Sequence, residues 1–203
     1  MKKICIYSLM LLVFMLVSIF PENIGKAYFS KKEFSKDRYI DWMYNNTRLE
    51  RRRKFGKEKM IVELTKIYDR VSKERFSYIK LSLIKTESGF DNSAIGGSGE
   101  RCMMQVSPSV WEKELKEKKI IVKSIKELST DMNKCITAGS YIFDQYYAKY
   151  GSVEKAILAY NGGGDPEYKG KIVMSLGSLK MVQEELTLLN DYNEVEKNSE
   201  TIE

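Results

Sequence analysis

One acidic residue at the end of an apolar helical stripe constrains this sequence more than any other feature. In the stretch IKTESGFDNSAIGGSGERCMMQ, Ile84 to Gln105, the acid is Glu87. Ile79, Leu83 and Glu87 are four residues apart, so they share one face of a helix. Gly89 is a typical helix stop, and further glycines indicate a flexible loop after it. The pattern predicts a buried helical face that ends in a carboxylate.

The complete absence of histidine limits the chemistry that this chain can perform. Serine–histidine and cysteine–histidine triads are excluded, and so are most zinc sites. Acid–base chemistry must therefore come from Asp, Glu, Lys, Tyr or Cys. We expect no metal site and no cofactor, and Glu87 is the leading catalytic candidate.

Residues 1–27 have the pattern of a secretory signal peptide. Lys2 and Lys3 form a basic start, Ile4 to Phe20 is almost unbroken apolar sequence, and Gly25 and Ala27 are small residues at a cleavage position. An uncleaved membrane anchor is the alternative, because the apolar run is just within spanning range. Both interpretations predict export of the remaining chain to the periplasm or cell envelope.

The net charge of +6 is unevenly distributed along the chain. Residues 28–59 are predicted to form a basic linker or helical arm outside the catalytic domain, with Arg48 to Lys59, RLERRRKFGKEK, as its densest part. Such an arm can bind an anionic membrane or wall polymer, and the alternative is a solvated helical face. Export argues against a nucleic-acid partner. Residues 191–203 are polar and acidic, which predicts a disordered tail.

Helical periodicity dominates the region from 60 to 190. From Met60, the residues Ile61, Leu64, Tyr68 and Val71 fall on one face. Further helices are predicted over 75–88, after Ser107, over 129–150, over 153–161 and from about 169. There are no repeats and no strand–helix alternation. The region predicts one all-α domain with, at most, a small β-hairpin near 96–106.

Two ordered segments resemble the signatures of lytic transglycosylases of the soluble lytic murein transglycosylase type. The resemblance covers about 60 to 185 and implies a lysozyme-like fold. The tyrosine that precedes the last helix in that family has its counterpart in Tyr168. The residues that match the first signature are Glu87, Ser88, Phe90, Ala94, Gly99, Met104, Gln105 and Pro108, and those that match the second are Ala159, Tyr160, Asn161 and Gly163.

Five positions depart from the family pattern. Gly96 replaces a serine, Glu100 an alanine, Cys102 a glycine, Met103 a leucine and Cys135 an asparagine. Two cysteines remain after the leader, and in an exported protein an even pair suggests a disulfide. Two buried free thiols are the alternative.

The resemblance implies a lytic transglycosylase that cleaves the MurNAc–GlcNAc β-1,4 bond of peptidoglycan glycan strands and forms 1,6-anhydromuropeptides. Glu87 would serve as general acid and then base, and burial and the helix C-terminus would raise its pKa. The chain is expected to be a monomer. The residues expected to contact substrate are Ser88, Met104, Gln105, Tyr160, Asn161 and Tyr168.

Two other functions remain open. A hydrolytic muramidase, similar to goose-type lysozyme, would need a second carboxylate at the site, and the nearest candidates are Asp91 and Glu100. Asp91 is expected to cap the loop instead. The other alternative is a non-catalytic wall-binding scaffold.

Overall fold

A computed structural model describes residues 36–183 of the chain. The predicted leader, 1–27, and the predicted tail, 191–203, lie outside the described residues. The all-α prediction is confirmed, since helices account for most of the described chain. Their order is α1 Lys36–Asn46, α2 Leu49–Phe55, α3 Lys57–Val71, α4 Ser77–Ser88, α5 Pro108–Glu117, α6 Glu127–Thr130, α7 Met132–Tyr150, α8 Val153–Tyr160 and α9 168–183.

The helix that carries Glu87, α4, is buried along most of its length. Ile79, Leu81, Leu83 and Ile84 are all at most 5% exposed. A helix that is apolar on nearly every side lies inside the domain rather than on its surface. The helices that surround α4 and pack against it are α1, α3, α7 and α8.

The buried Lys80 ties α4 to α7 through charge. Its side chain is 0% exposed, and its ammonium lies 3.1 Å from Asp144 on α7 and 3.5 Å from Glu74. A buried cation is tolerated only where carboxylates compensate for lost water. The pair therefore fixes how α4 lies against α7.

Two predicted helix starts have side-chain caps. The side chain of Asp131 accepts from the backbone N–H of Lys134 at the start of α7, and Ser152 accepts from Lys155 at the start of α8. Each bond satisfies one of the amides left free in a first turn. The α7 start lies at Met132, because the residues before it form the separate short helix α6.

The prediction that residues 28–59 lie outside the catalytic domain is wrong for α1. Tyr39, Ile40, Trp42 and Met43 are 0–6% exposed and belong to the main hydrophobic core. Their spacing makes an apolar stripe on one face of α1, which the many charges of the segment hid from the sequence analysis. In contrast, α2 has no buried residue.

The glycine-rich loop forms isolated β-bridges in place of the predicted hairpin. Isolated antiparallel bridges pair Arg101 with both Ile95 and Val106, and no longer strand forms in the described part of the chain. None of the helices in 36–183 has the length and apolarity that a bilayer crossing requires.

Candidate active site

Glu87 lies in the last turn of α4, where the helix is ended by a glycine. Gly89 has φ +63°, and its backbone N–H donates to the carbonyl of Lys85. This left-handed residue is the common way to end a helix. The predicted helix stop is confirmed, and the carboxylate of the partly buried Glu87 meets the hydroxyl of Tyr168.

The Glu87 carboxyl is held by one strong hydrogen bond. The hydroxyl of Tyr168, at the start of α9, donates to Oε1 of Glu87 over 2.5 Å. Burial raises the pKa of Tyr168 far above its usual range, and the nearby Glu87 charge adds to this. The phenol therefore stays protonated and remains a donor.

Burial raises the pKa of Glu87 to about 7. The hydrogen bond from Tyr168 lowers this pKa, while the negative charges of Glu100 and Asp165 raise it further. Desolvation is the largest of these effects, as expected for a carboxyl removed from water. A substantial fraction of the Glu87 side chains is therefore protonated at neutral pH, as a general acid requires.

Glu100 and Gly96 are structurally linked departures from the family pattern. A Cβ atom added at Gly96 would lie 2.2 Å from Oε2 of Glu100 and 2.6 Å from Oε1 of Gln105. The same Glu100 oxygen accepts from the backbone N–H of Ser98 over 2.9 Å. The Glu100 side chain thus occupies the space that a serine at 96 would need.

Asp91 does not act on Glu87. Its Oδ1 accepts from the backbone N–H and the hydroxyl of Ser93, at 2.9 and 2.7 Å, and lies 3.6 Å from Nε of Arg51. The prediction that Asp91 caps the loop is confirmed. Of the two carboxylates considered from sequence, only Glu100 influences the pKa of Glu87.

Tyr160 supports the loop at Met104. Its hydroxyl donates to the backbone carbonyl of Met104 over 2.8 Å, and the Glu87 charge helps to raise its pKa, after the larger effect of burial. The following residue, Gln105, has φ +48° and donates from its side chain to the carbonyl of Cys102. Gln105 and Tyr160 are partly exposed, so both remain able to contact a substrate.

Three of the predicted substrate contacts are buried: Tyr168, at 3% exposure, holds Glu87 instead, and the other two lie at the loop. Ser88 and Met104 are 0% exposed. The Ser88 hydroxyl donates to the Ile84 carbonyl and accepts from the Asp91 backbone N–H. The Met104 side chain packs against Gly139 of α7. Neither side chain reaches a surface that a substrate could touch, so both shape the loop instead.

Cys102 and Cys135 form a disulfide in the structure. Their Cα atoms are 6.1 Å apart, inside the range that a disulfide spans, and both residues are 0% exposed. The bond joins the glycine-rich loop to the first turn of α7. It therefore holds Glu100 and Gln105 in a fixed place relative to the helix bundle.

Asp165 is a site residue that the sequence analysis missed. It lies in the turn between α8 and α9, where its carboxylate pairs with Lys171 at 2.6 Å and its backbone carbonyl accepts from Asn161. The ion pair keeps the pKa of Asp165 low, so its negative charge persists beside Glu87. The available signal was the Gly-Asp-Pro sequence, which is typical of a turn before a helix.

The side chains around Glu87 are those of acids, tyrosines and amides. Within residues 36–183, no group of Cys, Asp and Glu side chains has the arrangement of a metal centre. The arrangement around Glu87 suits proton transfer to and from a bound substrate.

A family model matches the part of the chain that contains the candidate site. Residues 72–171 match the family model of the Transglycosylase SLT domain, a range that includes Glu87, Glu100, Tyr160 and Tyr168. No curated protein and no solved structure matches the chain. The matched family supports lytic-transglycosylase-type activity on peptidoglycan in general. The chain therefore carries a transglycosylase SLT domain, which belongs to the lysozyme-like superfamily.

Proposed function

We propose that the protein is a lytic transglycosylase that cleaves the MurNAc–GlcNAc β-1,4 bond of peptidoglycan. The observation that supports this most strongly is the Glu87 carboxyl, which is desolvated, has a pKa of about 7 and is oriented by Tyr168. A glycosidic bond breaks when its bridging oxygen receives a proton as it leaves. A carboxyl that retains its proton near neutral pH can supply it.

In the second step, Glu87 acts as a base. After donating its proton it is a carboxylate, and it accepts the proton of the muramic acid 6-hydroxyl as that oxygen attacks the anomeric carbon. The new C1–O6 bond replaces the broken bond to the leaving sugar, and the product is a 1,6-anhydromuropeptide. Glu87 ends the cycle protonated, so the reaction needs neither a water molecule nor a second carboxylate.

The surrounding residues suit this cycle. Tyr168 donates to Glu87 in both protonation states, which favours the anion after the first transfer. The partly exposed Gln105, Tyr160 and Asn161 offer hydroxyl and amide groups to the sugars. We propose that the negative charges of Asp165 and Glu100 help to keep the pKa of Glu87 high.

A hydrolytic muramidase is the second candidate, and one observation favours it. Glu100 lies close enough to Glu87 for its charge to raise the pKa of that carboxyl. In this reaction Glu100 would activate a water, and Glu87 would act only as the acid. The transglycosylase signature has an alanine at this position, so Glu100 distinguishes this chain from the family pattern.

Product analysis separates the two candidates. Purified peptidoglycan is digested with the full chain, and the muropeptides are measured by mass spectrometry. Anhydro ends support the transglycosylase, while reducing ends, heavier by one water, support the muramidase. A Glu100→Ala variant is the matched control, because it restores the residue of the family pattern. Unchanged anhydro products from this variant would assign no catalytic role to Glu100.

The proposed location and partners follow from the same reaction. We place the protein outside the cytoplasmic membrane, in the periplasm or cell envelope, because its substrate lies there and residues 1–27 have an export pattern. The exposed basic residues Arg53, Lys54, Lys57 and Lys59 offer a docking surface for an anionic membrane. The chain is proposed to act as a monomer.

A further inference from the structure

The turn that follows Glu87 has an unusual backbone. Gly89 and Phe90 are consecutive residues with φ +63° and +66°. A glycine adopts this conformation readily, but a phenylalanine does so rarely, because its Cβ crowds the backbone. Such a residue keeps its conformation only where the surrounding contacts determine it. The turn at residues 88–91, which fixes the end of the catalytic helix, therefore depends on its neighbours.

Those neighbours come from the first two helices and the short connection between them. The Phe90 side chain is 0% exposed, and its ring meets the Trp42 ring edge-on with centroids 5.9 Å apart. The Phe90 carbonyl accepts from Nη1 of Arg51 over 2.7 Å, and Nε of the same guanidinium lies 3.6 Å from Asp91. A Cβ atom at Gly89 would lie 3.2 Å from Cγ of Arg48.

Arg51 is itself fixed by α3. Its Nη2 donates to both carboxylate oxygens of Glu63, at 2.9 and 3.1 Å, and its side chain is only 12% exposed. One planar guanidinium thus joins Glu63, the Phe90 carbonyl and Asp91 at the same time. A lysine, with a single nitrogen, cannot reproduce this geometry.

We propose that Arg51 is a positioning residue for Glu87, which it places by holding the turn at residues 88–91. This inference rests on the proposed role of Glu87 as the catalytic acid. It also assigns a role in the reaction to a part of the chain, residues 36–71, that lies before the matched family range of 72–171. That part supplies Trp42, Arg51 and Glu63, which together hold the turn next to Glu87.

The proposal leads to a specific effect on the acid. If the turn loosens, the end of α4 frays and water reaches the Glu87 carboxyl, which loses the burial that raises its pKa. The groups that face Glu87 from the other elements are Tyr160, Tyr168, Glu100 and Asp165. None of them contacts Arg51, so their contributions remain while the effect of burial falls. The pKa of Glu87 then moves down, toward the ordinary value of a glutamate.

The experiment compares the full chain with its Arg51→Lys, Arg51→Ala and Glu63→Gln variants. Muropeptide release from purified peptidoglycan is measured at several substrate concentrations and on both sides of neutral pH. We expect kcat to fall roughly ten- to a hundred-fold, with the alkaline limb of its pH profile shifted to lower pH. Amide hydrogen exchange of residues 88–91 should become faster in the same variants.

Arg70→Ala is the matched control. Arg70 also pairs with a carboxylate, that of Glu74, and donates to the Thr137 hydroxyl, but it has no contact with the turn. Its loss should lower the melting temperature without moving the alkaline limb. If Arg51→Ala does not fold, Arg51→Lys and Glu63→Gln keep the comparison possible.

Two failures are distinguishable. If Arg51→Lys and Glu63→Gln melt earlier but keep the wild-type alkaline limb, kcat and exchange at 88–91, Arg51 is a structural residue and the positioning proposal is overturned. If instead Glu87→Gln remains fully active, the assignment of the acid fails, and with it the basis of this inference.

Discussion

Tyr168 and Glu87 are 81 residues apart in sequence, and their side chains meet in a hydrogen bond of 2.5 Å. The bond joins the end of the central helix α4 to the start of α9. Because α9 begins directly after the turn that holds Asp165, the same turn places both the donor and a negative charge beside the acid. The geometry and the pKa of the candidate acid therefore have a common structural origin.

Glu87→Gln should remove turnover while the fold remains. The amide has nearly the shape of the carboxyl, but it has no proton to give to the leaving oxygen. The rate should fall on the order of a hundred-fold or more. Muropeptide release measures the rate, and circular dichroism with a melting curve establishes folding. The matched control is Glu117→Gln, an exposed position on α5. A folded Glu87→Gln protein with wild-type release would falsify the assignment.

The stability of the fold should depend on pH through Glu87. Its pKa is about 7 in the folded chain and about 4.3 in an unfolded chain. Between these values the folded state binds the additional proton, so the free energy of unfolding falls as the pH rises through this window. The total loss is on the order of 4 kcal/mol, at about 1.4 kcal/mol for each pH unit.

Glu87→Gln provides the measurement, because an amide does not titrate. Denaturant unfolding of both proteins on either side of this window should show the variant gaining stability relative to wild type at the higher pH. An equal pH dependence in the two proteins would mean that Glu87 is not desolvated as the structure has it.

Tyr168→Phe should change the pH profile in the opposite direction to the Arg51 variants. The lost hydrogen bond normally lowers the pKa of Glu87, so its removal raises that pKa and moves the alkaline limb of activity to higher pH. The rate should also fall, on the order of tenfold, because the carboxyl is no longer oriented. Tyr150→Phe, at an exposed position, is the control. An alkaline limb that stays in place would show that the bond does not act on Glu87 in solution.

The disulfide should contribute to stability mainly through the unfolded chain. Cys102 and Cys135 are 33 residues apart, and closing a loop of that length is worth about 3–4 kcal/mol. The double variant Cys102→Ser, Cys135→Ser should therefore melt at a lower temperature than oxidised wild type, and reduced wild type should match the variant. Identical melting in the presence and absence of reductant would argue against the bond.

The basic surface near α2 is testable only by substitution. A deletion of residues 30–59 would also remove Tyr39 and Trp42 from the core, so it cannot separate docking from folding. Replacing Arg53, Lys54, Lys57 and Lys59 by glutamine should weaken sedimentation with anionic vesicles at low salt. The effect should fade at about 0.1 M salt, where the Debye length is about 10 Å.

The matched control for that surface replaces four lysines, Lys113, Lys116, Lys118 and Lys119, in α5 and just after its C-terminal end. These changes should leave vesicle binding as it is. If both sets of substitutions have the same effect, the attraction depends on net charge alone and α2 has no docking role.

Local patterns predicted much of the fold and the position of the acid. The stripe that ends at Glu87 and the left-handed Gly89 depend on neighbours within one or two helical turns, so the sequence shows them directly. The caps Asp131 and Ser152 belong to the same class of short-range signal. The pairing of Cys102 with Cys135 needed only a count of cysteines and an export pattern.

Contacts between distant segments could not be predicted in this way. Arg51 meets Phe90 across 39 residues, and a run of three arginines does not show which one turns inward. The burial of Trp42 was hidden because charge dominates the composition around it. Asp165 looked like a turn residue, and only the folded chain brings its charge beside Glu87.

Gly139 occupies the middle of α7, where a glycine weakens the helix by about 1 kcal/mol relative to alanine. Replacement of such a glycine by alanine is a common route to a more heat-resistant protein. Here a Cβ atom would lie 2.8 Å from Cβ of Met104, the residue whose carbonyl receives the Tyr160 hydroxyl. An engineer who followed helix propensity at this position would therefore strengthen α7 but displace Met104 and with it the loop that carries Gln105, so heat resistance and catalytic competence conflict at this residue.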